Sequence, residues 1–155
     1  MRVLGIDPGF DRLGLAVLEG DPSRPTVVWS ECVTPAPGTM EERLAAVTDA
    51  VSTAITIHSP DALAIESLFF STNRKTAMTV AQARGAILSA AGAHNIPVRE
   101  FNPAHVKLAV TGHGRADKKA IARMIPHLVS LPPKKRLDDE LDAIAVAIAG
   151  LSVRK

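Results

Sequence analysis

A chain of 155 residues with 46% hydrophobic residues is long and apolar enough to bury a core, which excludes wholesale disorder. Aromatic residues make up only 3%, so that core must be built from Ala, Val, Leu and Ile. A formal charge of +2 is too mild to establish a nucleic-acid partner by itself, and no uninterrupted apolar stretch is long enough to span a bilayer. The single cysteine, Cys32, excludes an intrachain disulfide and reads as a small core residue. Met1 and Arg2 lead directly into an apolar run that Asp7 interrupts, unlike a secretory signal. One domain over residues 1–155 is expected, in the cytoplasm and without a membrane.

The first strand (Val3, Leu4, Gly5, Ile6) ends on Asp7, followed by Pro8-Gly9 and a polar bend through Asp11 and Arg12. A second apolar run at 13–18 returns antiparallel, and a third strand at 26–34 follows the turn cluster GDPSRP. Thr39 reads as an N-cap for a helix with Leu44, Val47, Val51 and Ile55 on one face, which stops before Pro60. Residues 61–66 form a short strand ending on Glu66, and 67–73 a loop with Phe69 and Phe70. A helix at 74–93 carries small residues (Ala81, Ala83, Gly85, Ala86, Ala90) that permit close packing. A fifth strand covers 96–101, and Asn102 caps a short helix with Pro103 in its first turn, ending near Gly112. A helix at 118–131 contains Pro126, where a kink or break is expected. The basic loop PPKKRL leads to a last helix, 138–152, rich in Ala and Ile. The order implies an α/β fold: a mixed five-stranded sheet, three meandering strands plus two parallel ones, with helices on both faces.

The carboxylates form an informative pattern. Asp7 and Glu66 end two strands expected to be central and parallel, so both lie at the sheet edge where open α/β sheets place their sites. The last helix opens with Asp138, Asp139, Glu140 and Asp142. Asp142 shares a helical face with both Asp139 and Asp138, so geometry leaves a fourth member open between those two. Asp138 and Glu140 read as complements to the helix dipole. Asp142, flanked by apolar residues, reads as part of a site. Clustered carboxylates require cations. Oxygen-only ligation suits Mg²⁺ or Mn²⁺, and two such ions about 4 Å apart are the usual machinery for attack of water on a phosphodiester.

The arrangement GIDPG…LG, AIE before a Phe-containing loop, AQARG, VK…TGHG…K and D-x-x-D-A-I-A-x-A resembles the RuvC family of Holliday junction resolvases in one register over almost the whole chain. The resemblance implies a ribonuclease-H-like fold and a homodimer that nicks two opposed strands of four-way junction DNA with Mg²⁺ or Mn²⁺. It also implies cooperation with the RuvA and RuvB branch-migration proteins. By similarity, Asp7, Glu66, Asp139 and Asp142 are the catalytic metal ligands. Asp139 is preferred over Asp138 because the family's third ligand lies three positions before its fourth. Two ions per site are expected, Asp7 bridging both.

Basic residues follow the acidic strands: Arg74, Lys75 and Arg84, then Lys107, then Arg115, Lys118, Lys119 and Arg123, then Lys134, Lys135 and Arg136. Any one of them alone reads as a solvated surface charge. As a cluster in loops and helix starts they read as a phosphate-contacting surface. By resemblance, Lys107 and Lys118 lie close to the scissile phosphate, and Phe69 matches an aromatic that stacks on unpaired bases. Arg74, Lys75 and Lys119 complete the expected DNA contacts. Three other readings compete: a ribonuclease-H-like nuclease for another substrate, a phosphate-binding ATPase or sugar kinase, and a non-catalytic junction binder. The second would need two such domains with a cleft between them.

Overall fold

A computed structural model describes residues 1–67 and 74–153. Among them, β1 (Arg2–Asp7), β2 (Leu13–Glu19) and β3 (Thr26–Val33) form an antiparallel meander. Helix α1 (Met40–His58) leads to β4 (Ala62–Glu66), and α2 (Arg74–Ala93) leads to β5 (Val98–Phe101). The helices α3 (Pro103–Thr111), α4 (Lys118–Leu128) and α5 (Asp138–Ser152) follow. The sheet order is β3-β2-β1-β4-β5, with β4 parallel to both β1 and β5. This is the expected mixed sheet, with β1 at its centre.

The two faces of the sheet follow from the period of two along each strand. Leu4 and Ile6 of β1, Leu15 of β2 and Leu63 and Ile65 of β4 pack against Val47, Val51 and Ile55 of α1 and Ile87 of α2. Val3, Ala16, Leu18 and Ala64 face the other way, onto Ala143, Ile144 and Ala147 of α5, with Val106 of α3 and Ile121 and Ile125 of α4 closing that layer. Helix α5 is buried nearly all round, as its composition requires.

Gly5 lets α5 approach so closely. A Cβ there would fall 2.3 Å from the Ala143 carbonyl oxygen and 2.6 Å from the Ala147 nitrogen, both helix backbone. The helix ends obey their local chemistry. Thr39 and Glu42 form a reciprocal capping box on α1, and Asn102 accepts from the His105 N–H at 2.7 Å to start α3. Gly112 ends α3 with φ 75°, a left-handed conformation that glycine adopts freely.

Two expectations are corrected. Helix α4 ends at Leu128 instead of residue 131 and runs through Pro126, which lies in its last turn. Beyond it the chain turns extended, because Ser130 bridges the start of β3: its N–H donates to the Pro25 carbonyl at 2.9 Å and its carbonyl accepts from Val27 at 3.0 Å. Cys32 is half-exposed on the edge strand β3 rather than a core residue. No helix among the described residues is long and apolar enough to cross a membrane.

The Gly5 contact yields a direct test. Gly5→Ala should lower unfolding stability by about 3 kcal/mol, since the new methyl meets backbone that cannot rotate away. Urea denaturation monitored by Trp29 fluorescence checks this.

Candidate active site

The parallel pairing of β1 and β4 runs to Ile6 opposite Ile65. The next residues, Asp7 and Glu66, therefore leave the sheet side by side at its C-terminal edge, on the face that carries α5. Across the other edge of β1, Asp7 pairs with Gly14 of β2. A Cβ on Gly14 would fall 2.0 Å from the Asp139 carbonyl oxygen and 3.2 Å from the Asp7 Cβ. Glycine at this position thus seats the first turn of α5 directly on β2, beside Asp7.

Asp7, Glu66 and Asp142 line one cleft of about 240 Å³, together with Lys107 of α3 and Lys118 of α4. Its apolar wall comes from Val106, Ile121, Ala145 and Val146. The Lys118 ammonium donates to Asp142 Oδ2 at 2.6 Å, and this bond is the main reason its own pKa is raised. Asp139 stands on the β2 side of the cleft. Its Oδ2 is buried without a hydrogen bond among the described residues, although the Arg12 Nε lies 3.3 Å away as a charge partner. Asp138 is exposed and lines an adjoining groove with Lys118 and Lys119.

The electrostatics of the cleft are unfavourable to anions. Burial, followed by the charges of Asp142, Glu66 and Asp139, pushes the Asp7 carboxyl up to about 7 from 3.8, and Lys118 only partly offsets this. Glu66 is raised by burial and then by Asp142, against the pull of Lys107 and Lys118. Among the described residues, no three His, Cys, Asp or Glu side chains are gathered tightly enough to encircle an ion. The donor set is nonetheless all oxygen, partly buried and deficient in positive charge, which fits a hard divalent cation such as Mg²⁺ or Mn²⁺ and does not fit zinc.

Several basic residues from the sequence-derived cluster have other work. Arg84 is 7% exposed and ion-paired with Glu100. Lys134 and Arg136 turn inward onto Ser30. Glu140, read from sequence as a dipole complement, is 4% exposed and accepts hydrogen bonds from Ser30 and Lys134. Burial alone would raise its carboxyl; those two bonds, together with the Lys134 charge and a backbone bond at Leu137, hold it below the ordinary range. Arg74 and Lys75 open α2, whereas Phe69 and Phe70 lie outside the described residues. Sequence reasoning gave no role to Arg12 or Gly14. The polar bend after Pro8-Gly9 was the available signal for the first, and the LG that closes the GIDPG…LG arrangement was the signal for the second.

The raised carboxyl of Asp7 has a stability consequence whose sign is fixed. A folded-state pKa above the unfolded one means the native state holds the proton more tightly. Its contribution is fully present below about 3.8 and is lost as pH rises to about 7. In chelator, the protein should lose stability across that window. Asp7→Asn, which cannot ionise, should be more stable than the wild type at about pH 8 by roughly 2–4 kcal/mol. Urea titrations at several pH values give the comparison; a wild type as stable as the variant at high pH would contradict it.

Comparison with known proteins places this geometry. Residues 3–150 match the family model described as Crossover junction endodeoxyribonuclease RuvC. A protein of that name from Gloeobacter violaceus is 43% identical over 152 residues, covering 97% of this chain and 87% of its own length. The structure of Thermus thermophilus RuvC superimposes with a TM-score of 0.86 at 34% identity, covering 96% of this chain and 92% of the other. T. thermophilus RuvC in complex with Holliday junction substrate gives 0.89 at 33% identity, with the same coverage. With the family model spanning nearly every described element and the fold shared at this level, the chain belongs to the RuvC family of crossover junction endodeoxyribonucleases.

Proposed function

We propose that this chain is a metal-dependent endonuclease that resolves four-way DNA junctions by paired nicks in opposed strands during recombination and repair. The observation that carries the reading is the convergence of Asp7, Glu66 and Asp142 in one cleft with Lys107 and Lys118. Family membership, and a relative of the same fold captured with a Holliday junction, support the substrate class.

In this reading Asp7, Glu66, Asp139 and Asp142 hold two divalent ions, Mg²⁺ or Mn²⁺. Asp139 is preferred to Asp138 because it is half-buried and its charge acts on Asp7, whereas Asp138 is exposed. Bound ions would activate the attacking water and stabilise the leaving 3′ oxygen. The chain's own part is to orient and to compensate charge. Asp7 and Glu66 project from rigid strand ends, which limits their motion to side-chain rotation. Lys118, 76% exposed on its side chain, can move from Asp142 to a phosphate oxygen. Lys107, half-buried beside Glu66, offers a second ammonium to the phosphate. Lys119, Arg74, Lys75 and Phe69 extend the DNA contacts by resemblance. Kinship likewise suggests RuvA and RuvB as partners, and the cytoplasm as the place of action.

Two matched nicks need two sites, and α2 offers the contact for a homodimer. Ala83 and Ala90 are consumed by the chain's own core, but Gly85 is exposed with open space over its Cα, one turn from Gln82 and two turns from Met78 on the same face. A second α2 could approach closely there. Gly85→Arg should shift the protein toward monomer in sedimentation velocity.

The decisive experiment compares cleavage of a four-way junction, a linear duplex and an RNA–DNA hybrid. Wild type with Mg²⁺ should nick the junction alone. Asp7→Asn and Asp142→Asn should bind the junction within about twofold of wild type and lose cleavage by about a thousandfold or more. Hybrid cleavage without junction cleavage would replace this reading with that of a ribonuclease-H-like enzyme for another substrate. Cleavage surviving in Asp7→Asn would overturn the metal-site assignment.

A further inference from the structure

Glu140 stands between Asp139 and Asp142 in sequence, yet its side chain leaves the cleft and enters the core. Its Oε2 accepts from the Ser30 hydroxyl at 2.9 Å and from the Lys134 ammonium at 2.8 Å. Lys134 also donates to the Ser30 carbonyl at 2.7 Å, and the Arg136 Nε donates to the Ser30 hydroxyl oxygen at 3.0 Å. Arg136 further donates to the carbonyls of Pro132 and Lys134 at 3.1 and 3.2 Å. These bonds close a network that joins β3, the 132–137 loop and the first turn of α5.

Three features make this network more than a surface ion pair. First, Glu140 is buried, where a carboxylate is costly unless fully bonded; complementing a helix dipole needs no burial. Second, Leu137 at the N-cap of α5 makes no side-chain capping bond among the described residues, so the turn bearing Asp139 lacks the usual anchor. Third, the network ends close to the site. Ser30 pairs with Ala16, and two residues along β2 from Ala16 is Gly14, the residue that pairs with Asp7 and supports the Asp139 carbonyl.

Asp7 and Glu66 belong to the sheet, whereas Asp139 and Asp142 belong to α5. Their separation depends on how the first turn of α5 is fixed to the strands. Apolar packing along α5 sets its axis, and the Glu140 network is a buried polar tie at the end where the carboxylates are, one that uses none of their own oxygens, unlike Arg12 on Asp139 and Lys118 on Asp142. We propose that Glu140, through Ser30 and Lys134, is a positioning residue for the metal site. It holds Asp139 and Asp142 at the distance from Asp7 and Glu66 that a divalent ion requires. This rests on the carboxylate assignment made above. Outer partners bonded directly to metal ligands set metal affinity by about 10–100-fold, and Glu140, acting one step further out through the helix turn, belongs at the low end of that range.

The test is Mn²⁺ binding to the DNA-free protein, by calorimetry, in wild type, Glu140→Gln, Ser30→Ala and two controls. Ile125→Val removes one methylene from the core beneath α4, away from the network. Asp142→Asn probes the assignment itself. Glu140→Gln should weaken Mn²⁺ about tenfold or more, and Ser30→Ala about threefold. The Mn²⁺ concentration for half-maximal junction cleavage should rise in parallel, with junction affinity in chelator within about twofold of wild type. Ile125→Val should lose thermal stability without moving Mn²⁺ affinity. If Glu140→Gln and Ser30→Ala lose stability but bind Mn²⁺ as wild type does, the network only supports the fold and the proposal is wrong. Should Glu140→Gln fail to fold, Ser30→Ala decides alone. Asp142→Asn binding Mn²⁺ like wild type would instead overturn the site assignment, which separates the two failures.

Discussion

The structure turns on one electrostatic burden: Asp7 ends the central strand, half-buried, with Glu66 beside it and Asp139 and Asp142 brought over it by a helix. No arrangement of four carboxylates at one sheet edge is comfortable in a protein interior. Lys118 and Arg12 each relieve one of the helix carboxylates, and neither reaches Asp7 closely enough to keep its pKa in the ordinary range. The fold therefore keeps a local deficit of positive charge, which bound divalent ions would make good before an anionic phosphodiester is admitted.

That deficit is built by packing choices made elsewhere. Gly5 and Gly14 remove side chains from the α5 face of the sheet, so the helix lies directly on β1 and β2. The Ala-rich α5 keeps the approach close along its length. Helices α3 and α4 then wall the cleft with Val106 and Ile121 and carry Lys107 and Lys118 to its rim. Anions sit on the rigid strand ends and the helix turn, whereas the cations sit on long side chains at the mouth. Such a division suits a site that must hold ions in fixed geometry while admitting a large, flexible phosphate substrate.

Much of this was legible from residue order alone. The apolar runs of β1 and β4, each ending on a carboxylate, put Asp7 and Glu66 at strand ends, which is a local property, and the strand–helix–strand order gave the parallel pairing that sets them side by side. The all-apolar continuation after Asp142 marked α5 as buried. What local patterns could not reveal depended on distant partners. Glu140 looks like a surface residue until Ser30, 110 positions earlier, is found to donate to it. Lys134 and Arg136 look like a nucleic-acid patch until the same serine claims them. The end of α4 was misplaced because Ser130 pairs with the start of β3. Spacing left Asp138 and Asp139 equivalent; the structure leaves Asp138 exposed and seats the Asp139 carbonyl over Gly14, beside Asp7.

If the four carboxylates form one ion-binding centre, a bound ion displaces Lys118 from Asp142. Crystals soaked in Mn²⁺ and measured for anomalous scattering test it most directly. Manganese density is expected about 2.1 Å from a carboxylate oxygen of Asp7, shared with Glu66 or with Asp139 and Asp142, with the Lys118 ammonium withdrawn from Asp142. Manganese bound elsewhere, with Lys118 still on Asp142 at saturating ion, would contradict it.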